Sequence, residues 1–192
     1  MKAFISGGCK NGKSHYAQEL AVRMSRAQDL PLYYLATMIP HDEEDRARIR
    51  RHLREREGLG FETVERGFDI CRCLDGTTVS GKPVMREGIF LLDSVTALLA
   101  NEMFPPGGEP DRDAPQRLAE ELAAFATAVS GVVFVSDYIY SDAFVYDELT
   151  ESYRRGLAFI DRRLAAICEQ VSEVRYGFVK QHKAITNRGI LK

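Results

Sequence analysis

From Ile5 to Tyr16 the chain reads Ile-Ser-Gly-Gly-Cys-Lys-Asn-Gly-Lys-Ser-His-Tyr. Ahead of it, Lys2 to Ser6 is a short, mostly apolar run of strand length. Behind it, Tyr16, Ala17, Leu20, Ala21 and Met24 recur three and four apart, the spacing of one helix face. The glycines therefore join a strand to a helix N-terminus, a context a chance glycine turn does not supply. Gly7, four intervening residues, Gly12, Lys13 and Ser14 have the spacing of a phosphate-binding P-loop. Bare backbone lets Gly8, Cys9, Lys10 and Asn11 curl so that N–H groups converge on a phosphate. The helix N-terminus adds partial positive charge. Lys13 is placed to reach the β- and γ-phosphates, and the Ser14 hydroxyl to hold Mg²⁺.

The rest of the chain alternates strands with helices. Strands are predicted at Pro31–Ala36, Phe61–Glu65, Gly88–Leu92, Gly131–Ser136 and Val174–Val179, with a further one at Ala184–Leu191. Helices are predicted over the charged stretch Asp42–Glu57, at 68–74, Val95–Met103, Pro115–Ser130 and, as one long element, Ala143–Val171. Alternation of this kind predicts an α/β P-loop nucleotide-binding fold, a mainly parallel sheet flanked by helices, in one domain over 1–192. A net charge of −2 gives no electrostatic pull toward nucleic acid or a membrane surface. No apolar run reaches the roughly 18 residues of a membrane span, and the first strand opens almost at Met1, so the expectation is a cytoplasmic protein. Cys9, Cys71, Cys73 and Cys168 lack metal-site spacing and read as ordinary thiols.

Ligands of such folds sit beyond the carboxyl ends of the strands. Thr37, Asp93 and the pair Ser136-Asp137 all fall there. Asp93 follows four apolar residues and has two readings, a carboxylate supporting Mg²⁺ or a helix cap shared with Ser94. Six arginines lie between positions 46 and 56, around His52. On composition they form a solvated amphipathic helix with acids at its start. An imidazole among guanidiniums can also attack phosphorus while the arginines take up phosphate charge.

The order of these segments resembles the bifunctional adenosylcobinamide kinase/adenosylcobinamide-phosphate guanylyltransferases of cobalamin biosynthesis. Gly7-Gly-Cys-Lys-Asn-Gly-Lys-Ser14 is similar to that family's Gly-Gly-x-Arg-Ser-Gly-Lys-Ser loop, and Tyr34-Leu-Ala-Thr37 to its Tyr-Ile-Ala-Thr strand end. Asp42-Glu43-Glu44 with Arg48-Ile49-x-x-His52 resembles its acidic run and Arg-Ile-x-x-His segment. Thr63-Val-Glu65, Leu92-Asp-Ser-Val-Thr96 and Asn101 follow in the same order.

The resemblance implies that His52 attacks the α-phosphorus of GTP, releases pyrophosphate and carries GMP to the acceptor's phosphate. It implies nucleotide contacts at Leu35, Ala36 and Thr37, at His52, Leu53, Arg54 and Glu55, and at Glu65 and Asp93, with Ser14 and Asp93 at the metal. ATP and GTP are the implied phosphoryl donors, a corrinoid the implied acceptor, and a homo-oligomer, a trimer, the implied assembly. The resemblance is good from residue 2 to about 104 and weaker beyond. The family's Asn-Glu-Val-Gly-x-Gly-Ile-Val-Pro loop is replaced by Asp137-Tyr-Ile-Tyr-Ser-Asp-Ala-Phe-Val-Tyr146. Two other functions stay open on the residues alone: a P-loop small-molecule kinase without guanylyl transfer, and a nucleotide-binding regulatory module.

Overall fold

A computed structural model describes residues 1–184. In chain order its strands are β1 (Lys2–Gly7), β2 (Leu32–Ala36), β3 (Glu62–Glu65), β4 (Thr78–Val79), β5 (Lys82–Pro83), β6 (Ile89–Asp93), β7 (Gly131–Asp137), β8 (Gln170–Arg175) and β9 (Phe178–Lys183). Seven of them form one sheet in the order β3-β2-β6-β7-β1-β8-β9. Every pairing in it is parallel except β8 with β9. The other two, β4 and β5, make a small hairpin that stands apart in the turn-rich region.

The near-continuous apolar run of β6 divides between two faces, as a strand's period of two requires. Ile89 and Leu91 join Ile5, Val133 and Val135 under α1 (Lys13–Gln28), which contributes Ala17, Leu20 and Ala21. The next helix, α2 (Glu43–Arg56), buries little of itself and walls the carboxyl edge of the sheet instead. Phe90 and Leu92 face away from α1, with Phe4, Phe134 and Leu35. That side is covered by α3 (Val95–Met103), α4 (Ala114–Ala128) and α5 (Glu148–Ile167). Buried apolar surface at about 25 cal/mol per Å² makes this two-faced packing the main stabilising term.

Three expected elements differ. The long helix runs from Glu148 to Ile167 rather than from Ala143 to Val171. Asp147 caps it, accepting from the N–H groups of Leu149 and Thr150, and so fixes a later start. The strand placed at Val174–Val179 spans a turn: Tyr176 (φ 53°) and Gly177 (φ 78°) both take positive φ, the signature of a type I′ hairpin joining β8 to β9. Of the strand expected at Ala184–Leu191, Ala184 lies outside any strand and the remainder lies outside the described residues.

Candidate functional site

The sheet edge where β1, β2, β6 and β7 end carries the site. Register places Ala36 beside Asp93, and Gly7 beside Asp137. Gly7 closes β1, and there a Cβ would meet the Val174 carbonyl oxygen at 2.4 Å, so this glycine is demanded by strand packing. Gly12 has open space around it but a φ of 87°, so here the backbone angle makes the demand. No side chain caps α1 and its first turn holds no acid, which leaves its leading N–H groups for an anion. Lys13 folds back over the loop, donating to the Gly8 carbonyl at 3.3 Å and pairing with Asp137.

Asp93 is not the cap of the helix that follows it. Ser94 fills that role, its hydroxyl accepting from the Ala97 N–H at 3.2 Å. The Asp93 carboxylate faces the cleft and accepts from the Tyr34 hydroxyl at 3.1 Å. Burial, with the negative charge of Asp93 beside it, raises the Tyr34 phenol well above its usual range, so it stays a donor.

The third wall is α2. Asp42 caps it, accepting from Asp45 N–H at 2.8 Å, and its acids sit in the first turn where the helix dipole favours them. Arg56, only 6% exposed, lies with its guanidinium 3.5 Å over the Tyr34 ring. It donates to the His52 carbonyl at 3.1 Å and to Thr63 Oγ1 at 3.2 Å, and Phe61 meets the Tyr34 ring edge-on. One cation thus ties the last turn of α2 to β2 and β3. The His52 side chain is 22% exposed, with Nδ1 at 3.3 Å from Glu55 Oε2. Burial lowers its pKa; Asp93 and Glu55 oppose that, while Arg48 and Arg51 add to it. The ring is therefore held toward its neutral, nucleophilic form.

These walls enclose a cleft of about 330 Å³ lined by Lys13, Ser14, Tyr34, His52, Asp93 and Asp137, among others. A second basin, about 820 Å³, lies over Cys9, Lys10, Asn11 and Gly12. Lys13, Ser14, Arg48 and His52 border both, so His52 stands between phosphate loop and cleft.

Ala36, Leu53 and Glu65 also line the cleft, and Glu55 lines the basin. Three expected nucleotide contacts do not present their side chains to either. Leu35 alternates to the opposite face and is core. Thr37 is fully buried; its Oγ1 donates to the Ser94 carbonyl and accepts from the Ser94 N–H, both at 2.8 Å. Arg54 faces a separate groove beside Gly58 and Gly60. Conversely, the sequence reading did not single out Tyr34, Met38, Pro40 or Arg56 as site residues. Tyr34 had a signal, since it lies two residues before Ala36 on the same strand face.

Fold and cleft together define a P-loop nucleotide-binding protein. Similar solved structures include a KaiC-like protein from Pyrococcus horikoshii, TM-score 0.52 at 13% identity over 100% of this chain and 82% of that one. An ATPase domain matches with TM-score 0.54 at 12% identity, over 96% and 77%. At such identity the likeness shows the fold alone. The chain belongs to the cobinamide kinase / cobinamide phosphate guanyltransferase family, whose sequence model matches residues 3–181. Relatives include the bifunctional adenosylcobalamin biosynthesis proteins of Escherichia coli, 25% identical over 181 residues, and of Salmonella typhimurium, 26% over 182. Each match covers 89% of this chain and 93% of the relative. The Pseudomonas aeruginosa counterpart is 26% identical over 176 residues, 90% of this chain and 91% of its own. The family match continues through the second half, where the resemblance read from sequence was weaker. Among the described residues no helix is long and apolar enough to cross a membrane.

Proposed function

We propose that the chain is a nucleotide-dependent transferase with two activities on one acceptor. It phosphorylates an adenosylcobinamide-type alcohol, and it passes GMP from GTP to the resulting phosphate through a guanylyl-histidine at His52. The observation that carries this reading is the position of His52 on the border between the phosphate basin and the cleft, in company with Lys13 and Ser14.

In the kinase step, Lys13 releases Asp137 and neutralises β- and γ-phosphate oxygens, while N–H groups of the loop and the first turn of α1 hold the rest. The Ser14 hydroxyl and Asp93 carboxylate are oxygen donors on one cleft, the chemistry Mg²⁺ takes when water and phosphate fill most of its shell. When bound, the ion neutralises charge between phosphate groups. In the guanylyl step the imidazole lone pair bonds to the α-phosphorus, the bond to the β-phosphate oxygen breaks, and pyrophosphate leaves. Arg46, Arg48 and Arg50 line the same space and take up developing charge. An oxygen of the acceptor's phosphate then displaces the imidazole, whose electron pair returns to the ring.

Incubation with GTP labelled at the α-phosphate tests this. The expected product is a protein-bound GMP that is acid-labile, base-stable and absent from His52→Ala, since a P–N bond has those stabilities. The variant keeps measurable acceptor phosphorylation, which needs the loop rather than the imidazole. Full labelling of His52→Ala would remove this residue from the mechanism.

A further inference from the structure

The two nitrogens of His52 are not equivalent. Nδ1 is sealed from solvent and has no hydrogen-bond partner among the described residues. The ring lines both cavities. With Nδ1 sealed, Nε2 is the ring nitrogen left for a triphosphate bound in those cavities. Nδ1 instead looks toward Glu55 Oε2, 3.3 Å away and one helical turn along α2. The contact is close without being an aligned hydrogen bond, and no other group among the described residues satisfies Nδ1. A lone pair at Nδ1 would face a carboxylate across that gap and be repelled, whereas an N–H is attracted. Arg51 Nε, 3.8 Å from Glu55 Oε1, braces the other carboxylate oxygen.

We infer that Glu55 is a positioning residue that fixes His52 as its Nδ1–H tautomer and so makes Nε2 the atom that bonds to phosphorus. This deepens the guanylyl-transfer reading and rests on it. The Nε2 lone pair forms the N–P bond as the bond from the α-phosphorus to pyrophosphate breaks. The ring then carries one positive charge, shared with the Nδ1 proton, and Glu55 and Asp93 lie near enough to stabilise it. When the acceptor's phosphate attacks, the N–P electron pair returns to Nε2, and the Nδ1 proton never leaves. The carboxylate facing one ring nitrogen thus decides the reactivity of the other. Glu55 also opposes the lowering of the His52 pKa, so the same carboxylate sets how far into acid the imidazole stays neutral.

Long-range ¹H–¹⁵N correlation on protein labelled in its histidine rings reads the tautomer directly, with His52→Ala supplying the assignment. Wild type is expected to carry the proton on Nδ1, and after GTP and Mg²⁺ to show phosphorus coupled to Nε2. Glu55→Gln keeps this tautomer, because the amide oxygen also accepts from Nδ1–H. Glu55→Ala loses it and guanylylates at least roughly tenfold more slowly in a single turnover at saturating GTP. Both variants shift the acid limb of guanylylation to lower pH, since each removes the charge that raised the His52 pKa. A resting proton on Nε2, or an adduct on Nδ1, overturns the inference. A protein in the Nδ1–H form that takes no GMP refutes the guanylyl-transfer reading and, with it, Nε2 as nucleophile.

Discussion

Lys13 and Asp137 form an ion pair across the mouth of the phosphate loop, Nζ to Oδ1 at 2.5 Å, with side chains only 9% and 15% exposed. The backbone holds the acid in place. The Asp137 N–H donates to Thr96 Oγ1 at 2.8 Å, and the next N–H, of Tyr138, donates to the Gly7 carbonyl at 3.0 Å. The cation expected to meet the triphosphate is thus already engaged, by an acid whose backbone is pinned beside the phosphate loop.

Nucleotide binding then exposes the Asp137 carboxylate to a polyanion, a repulsion that Mg²⁺ on the phosphates relieves. Asp137→Asn removes the charge and keeps an acceptor for Lys13. Its affinity for metal-free triphosphate is expected to rise about tenfold, and its affinity for the Mg²⁺ complex to change far less. Titration calorimetry in chelator and in excess Mg²⁺ separates the two. Weaker or unchanged binding in chelator would show that Asp137 exerts no such repulsion.

The phosphate loop and the strand-end acids were legible in the sequence because each is written in a few adjacent residues. A glycine spacing between a strand and a helix, or an apolar run closed by an aspartate, needs no tertiary knowledge. The wall around them was not legible in this way. Arg56 was one arginine among six until the fold laid it over Tyr34, 22 positions earlier in the chain. Contiguous triplets read as contacts also include Leu35, Thr37 and Arg54, whose side chains line neither the cleft nor the basin. On a strand alternate residues face opposite sides, and on a helix the residue two positions from His52 points elsewhere. Strand order has no local signature at all, so the placing of β7 between β6 and β1, which brings Asp137 to Lys13, came only from the fold.

Arg56 is the structural link between the helix that carries His52 and the sheet. Lysine keeps the charge but loses the flat guanidinium on Tyr34 and the rigid fork that bonds the His52 carbonyl and Thr63 together. Arg56→Lys is expected to lower unfolding stability by about 1–3 kcal/mol, the range for losing a buried stack and charge-assisted hydrogen bonds. Guanylylation should slow more than nucleotide binding weakens. Urea denaturation with parallel single-turnover assays checks both. An Arg56→Lys variant as stable and as fast as wild type would leave the stack without a role.

A carboxyl outside the cleft is joined to it through the end of β7. Asp161, on α5 and 3% exposed, receives the Tyr140 hydroxyl at 2.9 Å, while its Oδ1 and the Ser136 hydroxyl oxygen are both shut from solvent. Burial pushes its pKa up to about 7, with Asp137 adding to the rise; the hydroxyls of Ser136 and Tyr140 pull the other way. Between about pH 4 and 7 the folded protein keeps a proton that the unfolded chain has released. Stability therefore falls as pH rises through that window, and this contribution, complete below about pH 4, is lost above about pH 7. The distance from 3.8 to about 7 sets an upper bound of roughly 4 kcal/mol on the effect. Asp161→Asn mimics the protonated carboxyl at every pH and should flatten the profile. It is expected to match wild type near pH 4 and to exceed it by about 1–3 kcal/mol at pH 8. Denaturant midpoints measured at both pH values decide it, and an Asp161→Asn variant with the wild-type pH slope would place the titration on another group.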